Sequence, residues 1–146
     1  MALTGSYGRS FDEKHRFALP KKFREILCPT ESEIVIAPGT ETSLSIYSLT
    51  EFERIGQKLT EKSTNRRETL TYLRIFYSQA EHLTLDSQGR VRLPERLVKF
   101  AQMKPKGELM LLGVHDHCEI WDRELWDQFL QRHAADFDDM ATQAFE

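Results

Sequence analysis

A duplication constrains this chain more than any other feature. Shifted against itself by 74 positions, the sequence pairs Asp12 with Asp86, Arg16 with Arg90, Leu19 with Leu93 and Pro20 with Pro94. Similar residues surround these matches: Ser10 with Thr84, Phe11 with Leu85, Phe17 with Val91, Phe23 with Leu97. The same offset aligns Ile46-Tyr47 with Ile120-Trp121 and Phe52 with Trp126. One register kept across separate blocks marks two copies of one unit, and such a period has to be settled before any local reading.

Within the first copy, residues 6–11 alternate apolar and polar as a half-buried strand does. Residues 12–15 read as a turn and 16–19 as the returning strand. Pro20 lacks a backbone donor, ends that strand and suits the first turn of a helix over 21–27, with Phe23, Ile26 and Leu27 on its apolar face. Residues 34–37 and 43–47 form a second pair of strands about a turn at 38–40. Thr50 and Glu53 make a capping-box pattern for a helix that continues through Ile55 and Leu59 and breaks over 60–65. A further helix is expected over 66–78.

The second copy repeats the order: strand 82–85, turn 86–89, strand 90–93, helix 94–101, strands 109–112 and 118–121, helix 123–133. The tail from Ala135, with Asp136, Asp138 and Asp139, is expected to fray. The division is thus 1–62 for the first unit, 63–79 for a connecting helix, 80–134 for the second unit and 135–146 for an acidic tail. One unit is too small to bury much apolar surface alone. Two can interleave, each completing the other's sheet, which makes the chain α+β with an internal pseudo-twofold. Open strand edges at its ends invite further copies, so a homo-oligomer is expected.

At 40% hydrophobic and 29% charged the composition is that of an ordinary soluble protein. It holds no apolar run near the roughly 18 residues of a membrane span, and no signal-peptide core at its start. Cys28 and Cys118 form no Cys-x-x-Cys and read as buried free thiols, which points to a reducing cytoplasm. The net charge of −3 conceals a division. Residues 1–27 sum to +3 and 86–106 to +4, whereas 28–85 sum to −2 and 107–146 to −8. The two Asp-x-x-x-Arg blocks are the basic places.

Those blocks carry the chemistry. An Asp opening a turn can accept backbone N–H groups, and an Arg four residues on can reach back to it or outward. Pinning the turn is one reading of the pair. The other rests on surplus cations, Lys14, Lys21 and Lys22 beside Arg16, and Arg92 and Arg96 beside Arg90. A turn does not need these, whereas phosphate contact does, and a two-stranded ribbon fits the major groove of DNA. His115-Asp116-His117-Cys118 resembles a metal cluster only superficially, because consecutive strand residues alternate faces and cannot converge on one ion. Tyr47, Phe52, Trp121 and Trp126 occupy equivalent places and read as core. With no Gly-rich phosphate loop, no G-x-S-x-G and no set of paired carboxylates, neither an enzyme, a cofactor nor a small-molecule substrate is indicated.

Residues 6–24, with Asp12-Glu13-Lys14-His15-Arg16 and Leu19-Pro20, and Leu85-Asp86-Ser87-Gln88-Gly89-Arg90 with Leu93-Pro94, resemble the MraZ family. Leu112-Gly113-Val114 and Glu119-Ile120-Trp121-Asp122 extend the likeness, which runs to about residue 133. The resemblance implies a tandem AbrB-like swapped-hairpin β-barrel with flanking helices. It also implies a ring-shaped homo-oligomer that regulates transcription, located in the cytoplasm at the nucleoid. Its target would be double-stranded DNA, at direct repeats in the promoter of the division and cell-wall gene cluster that includes its own gene.

By the resemblance Lys14, Arg16 and Arg90 face DNA, joined by His15, Gln88, Lys21 and Arg92, while Asp12, Asp86 and Gly89 shape the turns. Two departures stand out. Gln88 occupies the place of Lys14, which weakens the second contact. His15 stands where the family's first motif usually has Gly, so either that turn is altered or His15 bears strain and adds a base or phosphate contact. The rival reading is a protein-interaction module such as an AbrB-like antitoxin, against which the tandem and the short tail argue.

Overall fold

The structure is a computed structural model that describes residues 1–61 and 66–146. Its strands are β1 (Ser6–Ser10), β2 (Arg16–Ala18), β3 (Glu33–Pro38), β4 (Leu44–Tyr47), β5 (Glu81–Thr84), β6 (Arg90–Arg92), β7 (Glu108–Val114) and β8 (His117–Asp122). Its helices are α1 (Lys21–Leu27), α2 (Leu49–Glu61), α3 (Arg67–Gln79), α4 (Glu95–Phe100), α5 (Arg123–His133) and α6 (Phe137–Ala144).

Six strands form one antiparallel sheet in the order β1-β7-β8-β4-β3-β5, and β2 and β6 form a separate two-stranded ribbon. The first strand of each copy therefore pairs inside the other: β1 lies on β7, and β5 on β3. The order reads the same from either end once equivalent strands are exchanged, so the molecule carries an internal pseudo-twofold. Two cross-strand pairs mark its axis. Phe17 faces Val91 in the ribbon and Ser45 faces Glu119 in the sheet, and each pair is the two copies of one position. A closed barrel is not formed: among the described residues β1 and β5 each have one neighbour and end the sheet. The three-residue strands β2 and β6 leave the sheet after their turns and pair with each other instead of bridging its edges.

The apolar alternation sorts the layers. Between the sheet and the layer of ribbon, α1 and α4 lies the main core, with Phe11, Phe17, Phe23, Leu27, Val91 and Leu97 packed against Ile34, Ile36, Ile46, Leu111 and Ile120. Full burial of side chains of this size contributes roughly 1.5–3 kcal/mol each. On the opposite sheet face, Ala37, Tyr47 and Phe76 pack with Phe52, Ile55 and Leu59, and Met110, Leu112 and Trp121 with Leu125, Trp126 and Phe129. The aromatic residues expected to be core thus line two equivalent clusters under α2 and α5. Both cysteines are buried and free.

Several local expectations change. The cap of α2 is Ser48, whose Oγ accepts the Glu51 N–H at 3.0 Å; Thr50 lies inside the helix. α2 continues through Thr60 and Glu61, where a break was expected; the rest of that break and the start of the connecting helix at 63 fall at 62–65, outside the described residues, and the described helix begins at Arg67. The tail does not fray. Residues 134–136 form a 3-10 turn and α6 follows, its Asp136, Asp138 and Asp139 placed where acidic groups favour a helix start. The copies also differ by one residue in their second hairpins, since Val35 faces Tyr47 but Met110 faces Trp121. The Gly39 N–H donates to the Ser43 carbonyl at 2.8 Å around a three-residue loop, whereas β7 and β8 turn over His115 and Asp116 alone.

Candidate nucleic-acid interface

The two Asp-x-x-x-Arg turns share one hydrogen-bond scheme. Asp12 Oδ1 accepts the backbone N–H groups of Lys14 (2.9 Å) and Arg16 (2.7 Å), and Oδ2 accepts Arg16 Nε at 2.8 Å. Asp86 does the same for Gln88 (2.9 Å), Arg90 (2.9 Å) and Arg90 Nε (2.8 Å). The backbone N–H donated to each carboxylate by Arg16 and Arg90 is the largest influence holding both aspartates below the ordinary 3.8. Each turn is closed again by the N–H of residue 15 or 89 donating to the aspartate carbonyl, at 3.1 and 3.0 Å. The turns also brace each other across the axis, Leu93 N–H donating to the His15 carbonyl (2.8 Å) and Leu19 N–H to that of Gly89 (3.1 Å).

The His15 position resolves one alternative: the first turn is not altered. His15 takes φ 62° where Gly89 takes φ 73°, and its ring stacks on Phe11 at 5.5 Å. A histidine in the left-handed region is uncommon but accommodated, and the stacking offsets part of its cost.

In the ribbon, Phe17 and Val91 point into the core while Arg16, Ala18, Arg90 and Arg92 alternate with them on the outer face. Arg16 stands directly opposite Arg92, and Ala18 opposite Arg90. Like charges opposed across two strands are unfavourable, so the Arg16–Arg92 pair is not explained by stability. Because each aspartate holds its arginine through Nε, the guanidinium is fixed in place. Among the described residues neither Arg16 nor Arg90 donates a further side-chain hydrogen bond, which leaves the terminal Nη groups available. Lys14, Lys21, Gln88 and Arg92 are exposed. The structure thus gathers Lys14, His15, Arg16 and Arg92 at one end of the ribbon and Gln88, Gly89 and Arg90 at the other, with Lys21 at the start of α1. Arg96, by contrast, is drawn into an ion pair with Glu81.

One residue at this surface was not singled out from sequence. Arg24 of α1 lays its guanidinium against Gly89; a Cβ there would meet Arg24 Nη1, Cζ and Nε at 2.7, 2.8 and 3.0 Å. The signal was a double break in the repeat, Gly89 against His15 and Arg24 against Val98, at two positions remote in sequence.

These features define a class: a tandem-repeat α+β protein whose paired Asp-x-x-x-Arg turns flank a cationic ribbon on an internal pseudo-twofold. The family described as "MraZ protein, putative antitoxin-like" matches this chain twice, over residues 2–75 and 76–146. The chain therefore belongs to the MraZ family, as a tandem of two family domains. Among the described residues, no helix is long and apolar enough to cross a membrane.

Proposed function

We propose that this protein is a sequence-specific, double-stranded-DNA-binding transcriptional regulator without enzymatic activity. It acts in the cytoplasm, at the nucleoid, on direct repeats in the promoter of the division and cell-wall gene cluster that includes its own gene. The observation that carries this reading is the outer face of the β2–β6 ribbon, where Arg16, Arg90 and Arg92 stand with Nε of the first two fixed by aspartate. A guanidinium fixed in this way has a planar fork available for guanine or phosphate, and a ribbon has the width of a major groove. Lys14 and Lys21 add phosphate contacts, His15 a contact at the first turn tip and Gln88 a weaker one at the second.

The strand exchange of β1 and β5 supports a swapped-hairpin arrangement of two units, 1–62 and 80–134, joined by 63–79. The single-sided edges of β1 and β5 support assembly into a ring-shaped homo-oligomer, in which weak contacts gain avidity from repeated sites. The test is titration of the protein against its own upstream DNA, beside Arg16→Ala and Arg90→Ala. Specific binding by the parent and its loss in both variants, at equal fold and assembly, is the expected result. Equal binding by all three would sink the reading. A second reading, a protein-binding module of antitoxin type, is favoured by the family description and by exposed Phe137, Met140 and Phe145 at the carboxyl end. It predicts that no specific DNA complex forms.

A further inference from the structure

The two turns are unequal in charge, since Lys14 of the first is replaced by Gln88 in the second. We infer that Arg24, carried by α1 of the first unit, is the missing cation of the second turn and contacts the DNA phosphate backbone beside Gly89. This inference rests on the DNA-binding reading above and deepens it.

The geometry is specific to one end of the ribbon. At Gly89, only the absence of a side chain leaves room for the Arg24 guanidinium, whose nearest atoms would lie 2.7–3.0 Å from a Cβ. The residue equivalent to Arg24 is Val98, so α4 cannot return the same service to the first turn. There the turn carries its own cation in Lys14 and covers itself with His15 on Phe11. Cation and glycine therefore occur together in one half, and neutral residue and histidine in the other.

Arg24 is otherwise uncommitted. Its Nε is buried with no hydrogen-bond partner, and no ion pair to it forms among the described residues. The Nε itself is enclosed, so an incoming phosphate oxygen would be met by the terminal Nη groups, which donate no hydrogen bond among the described residues. The surroundings suit one. Arg24 opens on a cleft of about 230 Å³ that is also lined by Ser32, Ser87 and Gly89. Two carboxylates border the same cleft. Asp86 is already engaged by three N–H donors, including Arg90 Nε, and Glu31 is exposed to solvent.

The test compares the parent with Arg24→Met, Arg24→Met/Gln88→Lys and Arg16→Ala. Each is titrated against a labelled duplex from upstream of the chain's own gene, and against an unrelated duplex of equal length, over a range of salt concentrations. Methionine keeps the unbranched apolar stem and removes the charge. Arg24→Met should weaken binding to both duplexes by roughly tenfold at low salt, as expected for removal of one charged hydrogen bond. It should also make the plot of log affinity against log salt shallower by about 0.9 for each phosphate no longer neutralised. Returning a lysine to the turn itself, in Arg24→Met/Gln88→Lys, should restore the slope.

The inference is overturned if Arg16→Ala weakens binding while Arg24→Met keeps the parental affinity and slope. It is equally overturned if Gln88→Lys restores nothing, or if Arg24→Met does not fold, since the guanidinium would then be structural. Absence of DNA binding by the parent would instead remove the function proposed above, and Arg24's role with it.

Discussion

At the first turn, position 15 is a histidine held at φ 62° with its ring on Phe11, and an exposed lysine precedes it. At the second, position 89 is a glycine at φ 73°, a glutamine precedes it, and an arginine from another helix lies across it. Yet the hydrogen bonds accepted by Asp12 and Asp86 agree within 0.2 Å, bond for bond. The comparison separates what builds the turn from what covers it. An Asp whose two oxygens bind two N–H groups and an Nε defines the backbone path, and the left-handed residue follows that path whether or not it has a side chain. The covering groups are then free to diverge, and with them the charge presented at each end of the ribbon.

The largest effect should come where the copies meet. Phe17 and Val91 are one position occupied twice, both fully enclosed. Phe17→Ala should cost about 3–5 kcal/mol in urea unfolding. Val91→Ala should cost about 2 kcal/mol, from roughly 0.8 kcal/mol for each buried carbon removed. Equal losses at the two would mean that the copies do not pack unequally about their axis.

A smaller difference is expected at the turn tips. Gly89→Ala forces an L side chain into the left-handed region against Arg24 and should destabilise by about 1–2 kcal/mol. His15→Gly frees the same backbone conformation but gives up the Phe11 stacking, so thermal unfolding should place it within about 1 kcal/mol of the parent. If Gly89→Ala were neutral, the close approach of Arg24 would not be a constraint on that turn.

The gentlest distinction is in pH. The two turns should respond alike on the acid side, because Asp12 and Asp86 are both held below the ordinary 3.8, first by the backbone N–H of their arginines. A lowered carboxylate contributes stability above its ordinary value and loses it as pH falls through the lowered one. Asp12→Asn and Asp86→Asn should therefore each flatten the acid limb of a melting-temperature profile.

Just above neutrality the second copy should add a response of its own. His117, equivalent to Ser43, is raised above the ordinary 6.5, first by its bond to Glu119 (3.1 Å) and then by Asp116 (2.8 Å), against the opposing effect of burial. A raised histidine contributes fully below its ordinary value and loses that contribution as pH rises through the raised one. Melting temperature should fall across that window in the parent, and His117→Ser should abolish the fall. A profile unchanged by His117→Ser would show that the histidine is not coupled to its two carboxylates.

Much of this was legible in the chain because it is local. The turns at Asp12 and Asp86 announce themselves through residues four apart, Pro20 and Pro94 end their strands by lacking a donor, and the aromatic residues at 47, 52, 121 and 126 repeat at core positions. Strand boundaries were legible to within a residue or two where alternation was clear, as over β1 and β4. The cap of α2 was misplaced by two residues, because Thr50 with Glu53 and Ser48 with Glu51 present the same pattern and only the Ser48 Oγ hydrogen bond selects between them. The tail was misread because its acidic residues suggested solvation, while their place at a helix start and the following Met-Ala-Thr-Gln-Ala favour α6.

Two copies, an Asp–Arg pair at the turn of each and positive charge gathered at those turns all follow from the order of residues along the chain. Composition, periodicity and spacing along the chain are sufficient for that. Tertiary packing settled that β1 lands on β7 and β5 on β3, that the sheet stays open, that Arg16 faces Arg92, and that Arg24 comes to rest on Gly89. These pairings join residues far apart in sequence, selected by how two apolar faces pack about a shared axis, and nothing in the local chemistry of either partner names the other.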